Sequence, residues 1–287
     1  MTLTGASLEP TALFPPSEPH DTDAFARLLD KVTRERGFQC GSYKERCLRR
    51  RIGVRMRAKG THTYDAYADV LDADPGEFDR LLDALTINVT KLFRNWEAWT
   101  ALGALALPPL WSATGGALRA WSAGTASGEE AYSLAAMIHR HAASVGAEDA
   151  LGRAEVLGTD IDLPSLRAAE RGEYGEAAFA DTPESLRARY FSPGAPSVVG
   201  PELRALTRFE RRDLLAEVPP PGPWQLIVCR NVVIYFDRET QEALFERFYD
   251  ALVPGGVLFL GKVETLLGPV RQRFVAVDQR ERIFRRA

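Results

Sequence analysis

Apolar residues recur at helical spacing through the first third of the chain, from Asp21 to about Leu105. The recurrence begins with Phe25, Leu28, Leu29 and Val32. A stripe of this period predicts amphipathic helices, and Gly37 and Gly60 stand where the first two should end. We therefore predict an all-α domain over residues 21–105. The Pro-containing lead over residues 1–20 is expected to be disordered.

The helices expected after Gly37 are Ser42–Lys59, Thr61–Leu71, Pro75–Leu85 and Asn95–Leu105. Residues 86–94 read as a transition between two of them. Pro108-Pro109 and Gly115-Gly116 are typical loop signals. We expect this stretch to link the helical domain to a second domain.

From Ala117 onward, short apolar runs alternate with helical patterns, which favours an α/β domain built on a mostly parallel sheet. The predicted strands are Leu118–Ala123, Glu155–Thr159, Thr207–Arg211, Gln225–Cys229, Val257–Gly261, Phe274–Val277 and Arg282–Arg285. The predicted helices are Ser127–Val145, Leu163–Arg171 and Thr240–Leu252. The last two strands flank a polar turn and predict a terminal antiparallel hairpin. Residues 172–206 break the alternation and are too long for a plain connection, so an inserted subdomain is expected within 106–287.

Composition limits the class of protein. A length of 287 residues suggests about two domains, and the hydrophobic fraction of 45% is ordinary for a globular chain. No run reaches the ~20 apolar residues of a membrane span, and the N-terminus lacks the features of a secretory signal. Three cysteines and four histidines show neither a disulfide framework nor metal-ligand spacing. We expect a cytoplasmic protein without a metal site or a histidine-based triad.

Charge is concentrated in one stretch. Residues 38–60 hold eight basic residues and one acid, a local charge of +7 in a chain of net charge −3. The candidates for contact with a partner are Lys44, Arg46, Arg49, Arg50, Arg51, Arg55 and Arg57. The stretch suits an acidic protein surface. A solvated helix face and a nucleic-acid site are the alternatives, the latter disfavoured because aromatic residues are not interleaved.

The run WSAGTASGEEAYSL, residues 121–134, joins a strand to a helix through small residues. Such a turn lets a nucleotide approach the backbone around Gly124, beside the free N–H groups of the helix start. The motif is neither a dinucleotide fingerprint, a P-loop nor a hydrolase elbow. The pair Glu129-Glu130 would repel a pyrophosphate but suits a cationic nucleotide such as S-adenosylmethionine (SAM). An ordinary turn whose acids complement the helix dipole is the alternative.

Polar residues also follow the next predicted strands, where ligands bind in open parallel sheets. Asp160 could accept the two ribose hydroxyls or act as a helix N-cap, and Asp213 could contact adenine or cap a turn. Arg230-Asn231 directly follows a buried strand, and burying these groups costs free energy unless they meet a ligand or each other. A salt-bridged arginine beside a core aromatic pair is the alternative. Cys229 is expected to be a buried small hydrophobe.

Together these residues resemble the CheR-type methyltransferases, which use SAM to methylate glutamate side chains of bacterial chemoreceptors. The resemblance covers the chain from about Asp21 to the end. Its motifs, in order, are Tyr43-Lys44 with Arg49-Arg50-Arg51-Ile52, Asn88 to Arg94, the WSAGTASGEEAYSL run, Thr159-Asp160-Ile161-Asp162, Gly172-Glu173-Tyr174, Arg189-Tyr190-Phe191, Cys229 to Val232 with Ile234-Tyr235-Phe236, and Leu252-Val253-Pro254-Gly255-Gly256. This combination is far more specific than any one motif.

The resemblance implies a helical domain, a SAM-binding Rossmann-like domain and a small antiparallel β insert. It places in the SAM pocket Asn88, Thr90, Arg94, Glu130, Asp160, Asp213, Arg230 and Asn231. Arg94 and Tyr235 would lie nearest the methyl group, as catalytic residues. The chain departs from the family pattern at Leu92, at Asp213 and at Gly261-Lys262-Val263-Glu264, so the role of Glu264 stays open.

Methyl transfer to a carboxylate is an in-line displacement that needs no general base, because glutamate is already ionised at neutral pH. Positioning remains, and the planar fork of Arg94 is suited to orient the acceptor. We expect a monomer that acts on chemoreceptor helices, with neither nucleic acid nor membrane insertion involved. A SAM-binding scaffold, and a methyltransferase for small molecules or nucleic acid, are the rival hypotheses.

Overall fold

The computed structural model describes residues 19–86 and 90–287. The first eighteen residues of the predicted lead, and the candidate site residue Asn88, therefore lie outside the described residues. The described chain divides into two compact units. The smaller comprises residues 19–41 and 48–84, and the larger comprises Ser42–Cys47 and the described residues from Leu85 onward.

The smaller unit is helical, as its 3.6-residue apolar period predicted. Its helices are α1 (Pro19–Arg36), α2 (Glu45–Ala58, whose first three residues belong to the larger unit), α3 (Tyr64–Ala73) and α4 (Pro75–Leu85). Thr63 caps α3 by accepting a hydrogen bond from the N–H of Ala66 at 3.2 Å. The apolar stripes of all four helices are buried, with Val32, Ile52 and Leu81 fully inaccessible.

The larger unit contains the following helices and strands, in chain order: α5 (Trp96–Leu105), α6 (Leu107–Thr114), β1 (Arg119–Ala123), α7 (Glu129–Ser144), β2 (Glu155–Asp160), α8 (Leu163–Arg171), β3 (Glu173–Tyr174), α9 (Glu184–Tyr190), β4 (Ser197–Val198), α10 (Pro201–Leu206), β5 (Thr207–Arg211), β6 (Trp224–Cys229), α11 (Arg238–Ala251), β7 (Leu252–Leu260), β8 (Phe274–Asp278) and β9 (Ile283–Arg286). Short 3-10 helices connect several of them, including Glu176–Phe179 and Val233–Tyr235. None of the helices in the described part of the chain is both long and apolar enough to cross a bilayer.

Seven strands form one sheet in the order β5-β2-β1-β6-β7-β9-β8. The first five are parallel neighbours, whereas β7, β9 and β8 are antiparallel. The predicted mostly parallel sheet with a terminal hairpin is thus confirmed. Two apolar clusters, in which Leu134 and Phe248 are fully buried members, cover the sheet.

The stretch predicted as a linker is a helix instead. Pro108 and Pro109 occupy the first turn of α6, where a missing N–H breaks no intrahelical bond. The preceding helix α5 belongs to the larger unit, since Trp99 is buried against Phe259 of β7 with ring centroids 5.4 Å apart. The units therefore divide at Leu85, not at the predicted residue 105. The apolar face of α5 packs on the sheet of the larger unit, so α5 belongs to that unit.

The insert over residues 172–206 contains the expected small antiparallel pair. Strands β3 and β4 pair over two residues each, with Glu173 opposite Val198. The rest of the insert is helical, formed by α9, α10 and the 3-10 helix Glu176–Phe179.

Candidate functional site

The strand order brings the predicted polar residues to one edge of the sheet. Because β5, β2, β1 and β6 are parallel neighbours, their carboxyl ends meet there. Two cavities open at this edge of the sheet. They share four lining residues: Gly124, Ala126, Asn231 and Val232.

The small-residue turn after β1 forms the common wall of both cavities. Gly124 has φ +83°, and a Cβ there would lie 2.6 Å from a methyl group of Val232. Both the space and the backbone conformation therefore require glycine. The N–H groups of Gly124 and Thr125 donate to the carbonyl of Thr159 at 2.9 Å each, which fixes the turn against the end of β2.

Of the two acidic residues that open α7, only Glu130 lines a cavity. Ser122 Oγ donates to its Oε1 at 2.8 Å, and burial raises the pKa of Glu130 to about 7. The neighbouring Glu129 instead accepts a hydrogen bond from Ser127 Oγ at 2.7 Å. A buried carboxylate of this kind is stabilised in its ionised form when a cation enters the cavity.

Asp160 ends β2 and lines the larger cavity. Its Oδ2 accepts from the N–H of Ala126 at 2.8 Å and its Oδ1 from that of Asp162 at 3.0 Å. The N-cap of α8 is Asp162, whose carboxylate accepts from Ser165 N. The alternative of Asp160 as a helix cap is therefore wrong. Asp160 ties the turn to the sheet and also lines the cavity.

Asp213 follows β5 and also lines the larger cavity, next to Leu214 and Leu215. Its Oδ1 accepts from the backbone N–H groups of Leu215 and Ala216, at 2.8 and 3.3 Å. Turn capping is thus present, and it does not prevent contact with a ligand. The two leucines were missed by the sequence reasoning, although their position directly after Asp213 was the available signal.

Arg230 and Asn231 follow β6, as predicted, and line the smaller cavity. The guanidinium of Arg230 is buried and donates to the carbonyl of Arg94 at 2.8 Å. Its planar group also lies 4.7 Å from the ring centroid of Phe259. The predicted alternative of a salt-bridged arginine is therefore replaced by a contact to backbone. Cys229 is fully buried in β6, as expected.

Asn231 has φ +62°, a conformation that asparagine tolerates better than most residues. Its Oδ1 is buried without a hydrogen-bond partner among the described residues, which leaves an acceptor available to a ligand. Glu264 holds this turn: its carboxylate accepts from the N–H groups of Gly261, Asn231, Val232 and Val233 at 2.6 to 3.0 Å. The sequence left this residue without a role, because its partners include residues more than thirty positions away.

The remaining predicted residues line different cavities. Thr90 and Arg94 line the smaller cavity together with Lys91 and Trp99. Tyr235 lines the larger one, and its backbone carbonyl accepts a hydrogen bond from the N–H of Lys44 at 2.9 Å. The structure thus gathers every described candidate of the SAM pocket around two adjoining cavities, and their individual roles stay predictions.

The seven basic candidates for partner contact separate into two groups. Four are engaged inside the fold: Lys44, Arg49, Arg51 and Arg55. Lys44 and Arg51 donate to backbone carbonyls at 2.7 and 2.6 Å. Arg49 stacks on the ring of Phe25 at 3.9 Å, and Arg55 pairs with the buried Glu77 at 2.6 Å. The other three, Arg46, Arg50 and Arg57, are exposed along α2 together with Val54.

Comparison with known proteins agrees with this geometry. A profile of the CheR methyltransferase SAM-binding domain matches residues 88–283, and one of the CheR methyltransferase all-alpha domain matches residues 23–86. A chemotaxis protein methyltransferase of Listeria innocua is 37% identical over 239 residues, which cover 83% of this chain and 88% of that protein.

Two further relatives carry the same name. That of Klebsiella aerogenes is 33% identical over 252 residues, covering 84% of this chain and 82% of its own. That of Escherichia coli K12 is 32% identical over 249 residues, covering 84% and 83%. The chain belongs to the CheR methyltransferase family, and its cofactor is SAM.

Proposed function

We propose that this protein transfers the methyl group of SAM to glutamate side chains of a bacterial chemoreceptor, forming methyl esters. The observation that carries the proposal is the charge arrangement of the smaller cavity. Glu130 lines it together with the cations Lys91 and Arg94. One cavity therefore offers a carboxylate to a cationic methyl donor and a guanidinium to an anionic acceptor.

Bound SAM supplies a methyl group on a positively charged sulfur, which is a good leaving group. The carboxylate of a receptor glutamate is ionised at neutral pH, so no residue has to remove a proton. Arg94 orients the acceptor oxygen through its planar fork, and Tyr235 closes the opposite side of the shared wall. Positioning of this kind can contribute ~7–11 kcal/mol to a displacement.

The two cavities also suggest where each part of the cofactor binds. The carboxylate of Asp160 is suited to the ribose hydroxyls, and the wall of Asp213, Leu214 and Leu215 to the base. Glu130 and the open acceptor of Asn231 are suited to the ammonium group. The donors and acceptors present thus fit SAM, whose positive charge favours the ionised form of Glu130 as an uncharged or anionic nucleotide would not.

Substrate docking is assigned to the exposed side of α2. Arg46 and Arg50 are four residues apart, and Arg57 follows seven residues after Arg50, about two helical turns further on, so the three lie on one helix face. An acidic receptor helix is the complementary partner. Such a substrate also implies that the protein acts in the cytoplasm, because the proposed acceptor glutamates lie on the cytoplasmic helices of the receptor.

The direct test incubates the purified chain with tritiated SAM and candidate receptor cytoplasmic fragments, and then releases methanol from esters with mild alkali. Base-labile label on the receptor, absent when its acidic helix glutamates are replaced by glutamine, supports the proposal. If SAM binds and no receptor acquires base-labile label, the protein acts as a SAM-binding scaffold. Alkali-stable label on a small molecule or nucleic acid would identify a different acceptor.

A further inference from the structure

The segment that carries Arg94, residues 90–95, has no regular secondary structure. Phe93 and Asn95 adopt positive φ values of +50° and +59°, which non-glycine residues rarely adopt. Conformations of this kind persist only where the surroundings specify them. The contacts that hold this segment therefore decide where Arg94 lies.

Three of these contacts come from two neighbouring residues of the insert, Asp181 and Thr182. Asp181 Oδ2 accepts a hydrogen bond from the N–H of Asn95 at 3.0 Å, and its Oδ1 lies 3.5 Å from Lys91 Nζ. The hydroxyl of Thr182 donates to the carbonyl of Leu92 at 3.3 Å. One carboxylate thus bridges both ends of the stretch that contains Arg94.

Other parts of the fold hold the middle of the segment. The N–H of Leu92 donates to the carbonyl of Ala178 at 2.9 Å, and that of Phe93 to Ser133 Oγ at 2.8 Å. The carbonyl of Arg94 accepts from Arg230. Among these contacts, that of Asp181 fixes the N–H of Asn95, the residue directly after Arg94 and the one with the larger positive φ.

We propose that Asp181 is a positioning residue for the methyl transfer: from the insert, it holds the Arg94 segment in its catalytic geometry. This inference rests on the proposed function, since it takes Arg94 to orient the acceptor carboxylate. It assigns to the insert a role in holding the catalytic segment. Because the insert is bonded to the Arg94 segment, a change in one is transmitted to the other.

The test compares full-length wild-type protein with Asp181→Ala, Asp181→Asn and the control Glu176→Gln. Glu176 is an exposed acid of the same insert whose carboxylate pairs with Arg187, at 2.8 Å. Hydrogen–deuterium exchange of a peptide covering residues 90–95, the affinity for SAM, and kcat and KM for receptor methylation are measured for each.

We expect Asp181→Ala to lose exchange protection of the segment and about tenfold to a hundredfold in kcat, the range that misplacement of an orienting group produces. Its KM for receptor and its SAM affinity should stay within about threefold of wild type. The substitution removes no contact that is made equally in the ground state and in the transition state. Asp181→Asn should recover most of the exchange protection and most of kcat, because the amide oxygen still accepts the hydrogen bond from the N–H of Asn95. Glu176→Gln should match wild type.

Wild-type protection and kcat in Asp181→Ala would overturn the proposal, as would an Asp181→Asn variant equally impaired. A Glu176→Gln variant with the same losses would trace them to the insert as a whole and would also overturn it. If the wild-type protein esterifies no receptor, the proposed function fails, and the exchange measurement still decides whether Asp181 holds the segment. If Asp181→Ala does not fold, Asp181→Ser takes its place with the same expected losses, because a single short hydroxyl cannot bridge Asn95 and Lys91 as the carboxylate does.

Discussion

Glu130 shows how its surroundings adapt a single residue to a charged ligand. It stands at the start of α7, where the helix dipole favours an acid, yet its side chain is only 8% exposed. Burial raises its pKa to about 7, although Arg230 and Ser122 act in the opposite direction. The carboxyl group of the free protein is therefore partly protonated at neutral pH and ready to compensate a cation.

This pKa predicts that SAM binding depends on pH. Binding of a cation lowers the pKa of Glu130, so below pH 7 the free protein must release the proton of Glu130 as SAM binds, and binding weakens. Between pH 6 and 7.5 the affinity should rise about fivefold to tenfold, by proton linkage. Titration calorimetry in buffers of different ionisation enthalpy measures both the affinity and the proton release.

Glu130→Gln is the matched variant for this experiment. The amide keeps an acceptor for Ser122 Oγ but cannot ionise, so the variant should bind SAM weakly and without the pH dependence. A steep pH dependence that survives in Glu130→Gln would assign the titration to another group and contradict the prediction.

Arg94 is the second residue whose chemistry can be separated from its size. In Arg94→Lys a single ammonium replaces the planar fork, and a point charge does not reproduce its two-donor geometry. We expect SAM affinity within a few-fold of wild type and turnover reduced by about a hundredfold. Receptor methylation with tritiated SAM measures the turnover, and a separate binding assay measures the affinity for SAM. Wild-type turnover would remove Arg94 from the reaction.

At the scale of elements, the turn after β6 depends on an acid from the loop after β7. Glu264 is 2% exposed and accepts four backbone N–H groups, among them that of Asn231, a residue of positive φ that lines both cavities. A buried acceptor of this kind is expensive to lose, because each N–H left unsatisfied in the interior costs free energy. The shape of the cavity wall therefore rests on a residue that does not line it.

Glu264→Gln is expected to lower the free energy of unfolding by about 2–3 kcal/mol, since an amide cannot accept all four hydrogen bonds. SAM affinity should fall as well, because the Asn231 turn loosens. Glu246→Gln is the control: this exposed acid pairs with Arg273 on the surface, and its loss should change stability by less than about 1 kcal/mol. Urea unfolding of both variants measures the difference. Equal stabilities would contradict the capping role.

At the scale of the molecule, the residues proposed for docking and those proposed for catalysis belong to different groups of cations. The exposed basic face of α2 consists of Arg46, Arg50 and Arg57, whereas the cations of the cavity lie on the Arg94 segment and after β6. Exposed charges mainly steer association and are screened by salt over a distance of about 10 Å at 0.1 M. Cations beside a buried carboxylate are screened much less.

Replacing Arg46, Arg50 and Arg57 by alanine together should therefore reduce kcat/KM for the receptor about tenfold at low salt and little at high salt. SAM affinity should not change. The matched control replaces three other exposed arginines, Arg167, Arg171 and Arg285, and removes the same net charge from elsewhere. Receptor methylation measured across a salt series checks this. An equal loss in the control would show a general charge effect instead of a docking face.

The sequence by itself was sufficient for most of the fold and for the location of the candidate site. Helical and alternating periods, the small-residue turn at Gly124 and the acids Asp160 and Asp213 are local patterns, and a parallel sheet necessarily brings strand ends to one edge. Local patterns also led to an incorrect linker, because prolines fit the first turn of a helix as well as a loop.

The tertiary structure alone decided which residues support the site. Glu264 and Asn231 are 33 positions apart, Asp181 and Asn95 are 86 apart, and Arg230 and Arg94 are 136 apart. It also decided which arginines of α2 face solvent. No periodicity or spacing encodes such pairs, because a hydrogen bond between distant segments forms only after packing of the whole core has brought them within 3 Å of each other.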